Sequence, residues 1–210
     1  MIRILIADDH EIVRKGLKQI VSENMGMVVT GEAATAEEAL ELARKEEFDV
    51  AIIDIAMPGR GGLDILKDLR VARPSLRIII LSVWDEKQYA VRSVQAGASA
   101  YITKANATDQ LVAAINAVAS GRRYITPSVA ERLASHVEET ERSLPHEALS
   151  GRELQVLVLL GSGTSMGDIS RDLCLSIKTV STYRTRILEK MGMSSNAQLI
   201  RYAIENNLAK

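Results

Sequence analysis

Five short apolar runs alternate with amphipathic stretches over the first 121 residues, and this rhythm constrains the fold more than any other feature of the chain. The runs are residues 2–7, 27–33, 49–54, 77–82 and 100–103. Helical patterns separate them, at residues 11–23, 36–47, 62–72, 86–96 and 108–120. The runs are continuously apolar, which is typical of parallel strands covered on both faces. The sequence therefore predicts a doubly wound (βα)5 domain with a five-stranded parallel sheet.

Polar side chains stand where these predicted strands end: Asp8 and Asp9 after the first, Asp54 at the third, Ser82 at the fourth and Lys104 after the fifth. Each alone is more often an ordinary turn, cap or surface residue. Together they should converge, because ligands of open α/β sheets bind at the carboxyl ends of the strands. Two charges about 4 Å apart repel by about 4 kcal/mol at an effective dielectric constant of about 20. The clustered carboxylates therefore predict a bound cation, and hard oxygen ligands favour Mg²⁺.

Two further polar residues receive ordinary interpretations from the sequence. His10 is interpreted as an exposed or hydrogen-bonded histidine, not as a metal ligand. Cys174 is the only cysteine, so the chain cannot form an intrachain disulfide. It is interpreted as a small core residue.

The charge distribution divides the chain. Residues 1–121 contain 14 Lys and Arg against 17 Asp and Glu, whereas residues 149–210 contain 8 against 5. An acidic first part and a basic last part indicate two domains with different partners. The boundaries predicted from the sequence are 1–121 for the α/β domain, 122–148 for a partly helical linker, and 149–210 for a second domain.

Residues 149–210 have the pattern of a small all-helical domain of four helices. Ser150 and Glu153 form a capping-box pattern that begins the first helix. Two short helices joined by a tight turn follow, the second rich in Lys, Arg, Ser and Thr, which is the outline of a helix-turn-helix. With a 3.6-residue period, one face of this second helix is predicted to be apolar and the other polar and basic. The apolar set is Ile177, Val180, Ile187, Leu188 and Met191, and the polar set is Lys178, Ser181, Thr182, Thr185 and Arg186.

The first domain resembles the receiver domains of bacterial two-component response regulators, through "LIADDH", "DVAIIDIAMPGRGGLDIL", "IIILSVWDE" and "AGASAYITKA". The resemblance implies a flavodoxin-like fold in which Asp54 accepts a phosphoryl group from a sensor histidine kinase. It implies that Asp9, Asp54 and the backbone carbonyl of Ala56 bind Mg²⁺, and that Asp8 does so through water. Ser82 and Tyr101 would be the switch residues and Lys104 the phosphate-binding cation.

The last domain resembles LuxR-type DNA-binding domains, through "LSGRELQVLVLL" and "DISRDLCLSIKTVSTYRTRILEKMG". With the receiver, this is the arrangement of the NarL/FixJ subfamily. The resemblance implies a transcription factor that is not an enzyme beyond its own phosphorylation and dephosphorylation. It would form a homodimer on phosphorylation and bind two half-sites of double-stranded DNA. The implied DNA-binding residues are Lys178, Ser181, Thr182, Tyr183, Arg184, Thr185 and Arg186, and the implied dimerisation residues are Leu199, Tyr202 and Ala203.

Two other functions are compatible with parts of the pattern. One is a constitutive DNA-binding regulator whose receiver is inactive. The other is an α/β enzyme, either phosphatase-like or nucleotide-binding, whose acidic rim would be its active site. This alternative is disfavoured because no Gly-rich phosphate loop follows the first strand. The apolar runs are far shorter than the roughly 20 residues of a membrane span, and the N-terminus turns acidic too early for a secretory signal. A cytoplasmic protein without membrane contact is therefore expected.

Overall fold

The computed structural model describes residues 1–57, 62–84, 86–139 and 144–209. The chain divides into two units, Met1–Val137 and Glu138–Lys210. Residues 140–143 of the predicted linker and Lys210 lie outside the described residues. None of the helices in the described ranges is long and apolar enough to span a membrane.

A parallel five-stranded sheet is the centre of the first unit, as the sequence predicts. The strands are β1 (Ile2–Ala7), β2 (Met27–Ala33), β3 (Val50–Asp54), β4 (Arg77–Ser82) and β5 (Ala100–Thr103), in the order β2-β1-β3-β4-β5. This is the strand order of flavodoxin-like sheets, whose binding crevice lies where the order reverses, between β1 and β3. Ala7 is paired with Ile53, so the residues that follow them emerge side by side at this crevice.

Helices cover both faces of the sheet, which explains why the strands are apolar on both sides. They are α1 (Glu11–Ser22), α2 (Ala36–Lys45), α3 (Gly62–Ala72), α4 (Glu86–Ala96) and α5 (Ala107–Ala119), followed by α6 (Pro127–Glu139). In α2, the predicted stripe of Ala39, Leu40 and Ala43 is buried. Thr35 caps this helix by accepting from the Glu38 amide at 3.2 Å. The sequence pattern and the local caps thus agree on where the helix begins and which side it buries.

Four helices form the second unit: α7 (Gly151–Gly161), α8 (Met166–Asp172), α9 (Ile177–Met191) and α10 (Asn196–Glu205). The capping box predicted at the start of α7 is present. Ser150 Oγ accepts from the Glu153 amide at 3.3 Å, and Glu153 Oε2 accepts from the Ser150 amide at 2.7 Å. Ser165, Ser176 and Ser195 cap the three helices that follow, each accepting from the backbone amide three residues later. Each helix start is therefore fixed by a serine that satisfies a free backbone amide.

Two residues of the second unit do not lie where their sequence pattern predicts. Cys174 is exposed, not buried, because it occupies the turn between α8 and α9 with a φ of 50°. Ile177 is 59% exposed, although helical phase assigns it to the apolar face with Val180 and Ile187, which are buried. Ile177 is the first residue of α9. At the end of a helix, helical phase alone does not ensure that another element covers the side chain.

Candidate functional site

The crevice between β1 and β3 brings together side chains from three strand ends. Asp8 and Asp9 follow β1, and Asp54 ends β3. Lys104 follows β5 at the start of a short 3-10 helix. Its Nζ atom lies 2.7 Å from Asp8 Oδ2 and 3.0 Å from Asp54 Oδ2. One ammonium thus bridges two carboxylates whose side chains are almost completely buried.

Backbone amides in the turns beyond the strands orient the polar side chains. The amide of His10 donates to Asp8 Oδ1 at 2.9 Å, and the amide of Ala56 donates to Asp54 Oδ1 at 3.1 Å. In each case a side chain accepts from the residue two positions later, as in Asx-turns. Both hydrogen bonds are local, because each acceptor stands at the end of its strand and the donor amide lies in the turn that follows.

The charge balance of the crevice is unfavourable for the carboxylates. Burial raises the pKa of Asp54, and the neighbouring Asp8 raises it further, against the lowering effect of Lys104. Partial burial would lower the pKa of Lys104, but Asp54 and Asp8 outweigh it and the pKa is raised. Lys104 is therefore charged at neutral pH, and the carboxylates outnumber it.

The donor set fits a divalent cation. Asp8, Asp9, His10 and Asp54 each offer a ligand atom, and these atoms all lie within 4.8 Å of one another. Carboxylate oxygens held this closely repel one another, and a dication placed among them would remove that repulsion. Ala56 follows two residues after Asp54 at the edge of the crevice and is half-buried.

The predicted switch residues Ser82 and Tyr101 lie on β4 and β5. Ser82 is buried, and its Oγ accepts from the Trp84 amide at 3.0 Å. Tyr101 is also buried, and its hydroxyl donates to the Trp84 carbonyl at 2.8 Å. The backbone of Trp84 thus joins the two residues.

Arg14 of α1 also belongs to this region, although no sequence motif singles it out. It donates from Nη1 to the backbone carbonyl of Asp8 at 2.7 Å. Its Nε lies 3.8 Å from Glu32 Oε2 at the end of β2. Its place one turn into a helix that follows the acidic pair is the only signal that the sequence offers.

The predicted DNA-binding residues of α9 separate into two groups by exposure. Lys178, Thr182, Thr185 and Arg186 are exposed, whereas Ser181, Tyr183 and Arg184 are half-buried. The hydroxyls of Thr182 and Thr185 donate to carbonyls one turn earlier, at 3.0 and 3.1 Å. Their oxygens therefore keep free lone pairs, so each can act as a hydrogen-bond acceptor on the exposed face.

Arg184 and Glu153 have different partners in the structure. Arg184 donates from Nε to Asn196 Oδ1 at the start of α10. Glu153 instead pairs with Lys190, whose Nζ lies 2.6 Å from Glu153 Oε2. Burial would raise the pKa of Glu153, but hydrogen bonds from Lys190 and Ser150 lower it below its usual value.

The residues predicted for dimerisation do not form an exposed surface. Leu199 and Ala203 are both 0% exposed and belong to the core of the helical unit. A Cβ atom built on Gly161 of α7 would lie only 2.5 Å from Ala203 Cβ, so α10 packs closely on α7 with this side. Tyr202 is half-buried, and its hydroxyl lies 2.7 Å from His146 Nδ1. Leu199 and Ala203 fill this core of the single chain, and Tyr202 is the member of the predicted set that reaches the surface.

Comparison with known proteins finds two families in the chain and relatives that match along almost its whole length. Residues 4–116 match the response regulator receiver domain family, and residues 147–203 match the luxR family of bacterial regulatory proteins. The response regulator GacA of Pseudomonas aeruginosa is 36% identical over 209 residues, which cover 99% of this chain and 98% of GacA. The response regulator UvrY of Escherichia coli is 37% identical over 209 residues, covering 99% and 96%.

A solved structure extends the likeness to the fold. RcsB of Salmonella enterica serovar Typhimurium, bound to a promoter in the presence of the phosphomimetic BeF3−, is 26% identical with a TM-score of 0.61. The match covers 96% of this chain and 97% of RcsB. With both domains matched and relatives aligned end to end, the chain belongs to the response regulators that join a receiver domain to a LuxR-type helix-turn-helix domain.

Proposed function

We propose that Asp54 is the phosphoacceptor of this response regulator and that a sensor histidine kinase supplies the phosphoryl group. The observation that carries this proposal is the bridge formed by Lys104 between Asp8 and Asp54. An ammonium held beside a buried carboxylate is well positioned to stabilise oxygens of a phosphoryl group transferred to that carboxylate.

The transfer forms one bond and breaks one. A carboxylate oxygen of Asp54 attacks phosphorus in line, the P–N bond of a phosphohistidine breaks, and the imidazole leaves with the electron pair. Lys104 donates to a phosphoryl oxygen throughout. Ser82 then reorients its hydroxyl toward the acyl phosphate, and Tyr101 follows because both contact the backbone of Trp84. Charge-assisted hydrogen bonds of this kind contribute about 1.5–3 kcal/mol each, which is enough to shift a two-state equilibrium substantially.

Mg²⁺ is the proposed cofactor. Asp9, Asp54 and the carbonyl of Ala56 would hold it directly and Asp8 through water. When bound, it neutralises negative charge on the phosphoryl oxygens. The crowding of carboxylates in the described part of the crevice supports this assignment.

Intact mass measurement after incubation with a small-molecule phosphodonor tests this part. The wild type should gain one phosphoryl group only when Mg²⁺ is present, and Asp54→Asn should gain none. Asp49→Asn is the matched control. Asp49 precedes the first residue of β3, at the end of the strand opposite Asp54, and its carboxylate accepts from the Arg3 amide at 2.7 Å. The proposal would be contradicted if Asp54→Asn became phosphorylated. It would also be contradicted if the wild type gained no phosphoryl group from the small-molecule donor or from a sensor histidine kinase.

We propose further that residues 149–210 bind double-stranded DNA through α9, and that residues 1–121 and 122–148 act as receiver domain and linker. On α9, Lys178 and Arg186 would contact phosphates, and the acceptor oxygens of Thr182 and Thr185 would receive base donors such as adenine N6 or cytosine N4. Ser181, Tyr183 and Arg184 lie beside them. Phosphorylation would favour a homodimer that binds two half-sites. For contacts between protomers, α10 offers Tyr202 and the exposed Arg201 and Ile204.

Selection of duplexes from a random library by the full-length phosphorylated protein tests the second part. A sequence with two related half-sites should be enriched and should bind the phosphorylated wild type more tightly than Asp54→Asn. Equal affinity and equal regulation in both proteins would instead favour the alternative of a constitutive DNA-binding regulator with an inactive receiver.

A further inference from the structure

Three exposed arginines lie at the edge of the receiver sheet opposite the acidic crevice. Arg77 is the first residue of β4, and Arg122 and Arg123 follow α5. A Cβ atom built on Gly121 would lie 3.8 Å from Arg77 Nη2, so the Arg77 guanidinium lies beside the residue that precedes Arg122. We call Arg77, Arg122 and Arg123 the arginine cluster.

Backbone hydrogen bonds hold the chain that follows α5 against the start of the sheet. The Tyr124 amide donates to the Ser99 carbonyl at 3.0 Å, and the Ser99 amide donates to the Ile78 carbonyl at 2.7 Å. Tyr124 also forms an isolated parallel bridge with Ala100, the first residue of β5. The arginine cluster is therefore built on backbone that is paired with the sheet.

Within the described ranges, no carboxylate oxygen lies within 4.0 Å of a guanidinium nitrogen of the arginine cluster. Arg122 donates locally, from Nε to Ser120 Oγ at 3.2 Å. Two acids at the same edge contact Arg3 instead: Glu46 lies 4.0 Å from its Nη2 atom, and Asp49 accepts from its amide. The arginine cluster thus offers exposed positive charge and N–H donors to an external anion.

The course of the chain indicates which anion meets the arginine cluster. Residues 124–150 join it to α7 of the helical unit, which is proposed to bind DNA. When one module of a chain binds DNA, a tethered second module meets that DNA at a high effective concentration. Arginine is well suited to phosphate recognition, and phosphates flank every binding site whatever its sequence.

We propose that the arginine cluster is a second DNA contact, which binds backbone phosphates flanking the site bound by α9. The inference rests on the proposed DNA binding by α9. Contacts to phosphates add affinity without sequence preference, because phosphates carry no sequence information directly. The receiver, although acidic as a whole, would therefore strengthen DNA binding through this one edge.

Fluorescence anisotropy of the full-length phosphorylated protein, at several salt concentrations, tests this contact on two duplexes. Both carry the half-sites enriched from the random library. The short duplex ends at the half-sites, and the long one extends about ten base pairs further on each side. On the long duplex, Arg77→Gln/Arg123→Gln should lower the logarithmic salt slope by about one to two and weaken binding about fivefold or more at about 0.1 M salt. On the short duplex it should bind within about twofold of the wild type.

Two further variants separate a phosphate contact from other causes. Arg77→Lys/Arg123→Lys keeps both charges and should retain the wild-type slope. Lys15→Gln/Lys18→Gln removes the same charge from α1 and should leave binding of both duplexes unchanged.

The inference would be overturned by a wild-type slope that is the same on both duplexes, by an equal fall in slope for the α1 variant, or by a Lys variant that behaves like the Gln variant. Each of these results leaves DNA binding by α9 in place. If the wild type binds neither duplex, the proposed DNA binding itself fails.

Discussion

Lys104 Nζ donates to Asp54 Oδ2 at 3.0 Å, from the far side of the crevice formed by β1 and β3. The two residues are fifty positions apart in sequence, and the parallel sheet brings them together at its carboxyl edge. The contact gives Asp54 a positive partner, although burial raises the pKa of the carboxyl group. The stability of the receiver and its proposed affinity for Mg²⁺ are therefore linked through one ammonium group.

Lys104→Met should destabilise the first unit, because it leaves Asp8 and Asp54 without their cation. Removing one partner of a buried ion pair costs about 3–5 kcal/mol, and we expect a value near the lower end because a carboxyl group can take up a proton. Mg²⁺ should restore more stability to this variant than it adds to the wild type. Urea unfolding with and without Mg²⁺ measures both effects.

Lys18→Met is the control for this prediction. Lys18 pairs with Glu32 at 2.6 Å, but both side chains are well exposed, so its loss should cost less than about 1 kcal/mol. If the two variants lose equal stability, the bridge at Lys104 has no special role.

Glu153→Gln should make the stability of the helical unit less dependent on pH. The folded-state pKa of Glu153 lies below the ordinary value of 4.5, so its carboxylate stabilises the unit above that pH, and this stabilisation is lost as the pH falls through the folded pKa. At pH 7 the variant should be less stable by about 1 kcal/mol, since the capping box and the Lys190 pair are weakened. Below the folded pKa the two proteins should unfold alike. Thermal unfolding across this range is the measurement, and a constant difference at all pH values would contradict it.

Gly161→Ala should destabilise the helical unit by about 1–3 kcal/mol, the usual cost of overpacking a core. The new Cβ would meet Ala203 Cβ at 2.5 Å and Ala209 Cβ at 2.7 Å. Gly16→Ala is a matched control in α1, where nothing lies within 4 Å of the added Cβ. That variant should gain up to about 1 kcal/mol from helix propensity. Chemical denaturation of both variants would show opposite signs, and a stabilised Gly161→Ala would argue against the close packing of α7 and α10.

Lys178→Ala and Arg186→Ala should each weaken DNA binding for all sequences and lower the salt dependence of binding. The logarithmic slope of affinity against salt should fall by about one for each phosphate that the variant no longer neutralises. Thr182→Val should instead change the preferred bases, since it removes an acceptor without changing charge. Fluorescence anisotropy at several salt concentrations separates the two effects. Lys15→Ala, an exposed residue of the receiver, should change neither.

Continuous apolar runs and the capping box at Ser150 predicted most of the fold, because both act locally. The apolar runs at β1 and β3 are typical of a parallel sheet covered on both faces. The capping box of Ser150 and Glu153 determines the start of α7 through local hydrogen bonds. The burial of Leu199 and Ala203 depends instead on residues distant in sequence, because Gly161 of α7 has no side chain and lets this side of α10 pack closely on it. Cys174 was misplaced because a left-handed turn residue has no periodic signal.

The candidate site was predictable where it follows from topology. Asp8, Asp54 and Lys104 stand at strand ends, and strand order brings strand ends together. His10 and Arg14 lie in the loop and helix beyond β1, where their contacts depend on a turn that periodicity does not describe. Sequence alone could place them near the site but could not orient them.

Trp84 is the only tryptophan in the chain, and its backbone holds both Ser82 and Tyr101. A rearrangement that releases Tyr101 from the Trp84 carbonyl, or turns Ser82 toward a phosphoryl group, changes the hydrogen bonds of the backbone that carries the indole, whose ring lies 5.8 Å from the Tyr89 ring. The unlabelled protein thus contains its own optical probe. Its intrinsic emission can be followed through a stopped-flow phosphorylation reaction, which would separate the proposed phosphorylation of Asp54 from the later structural response in time.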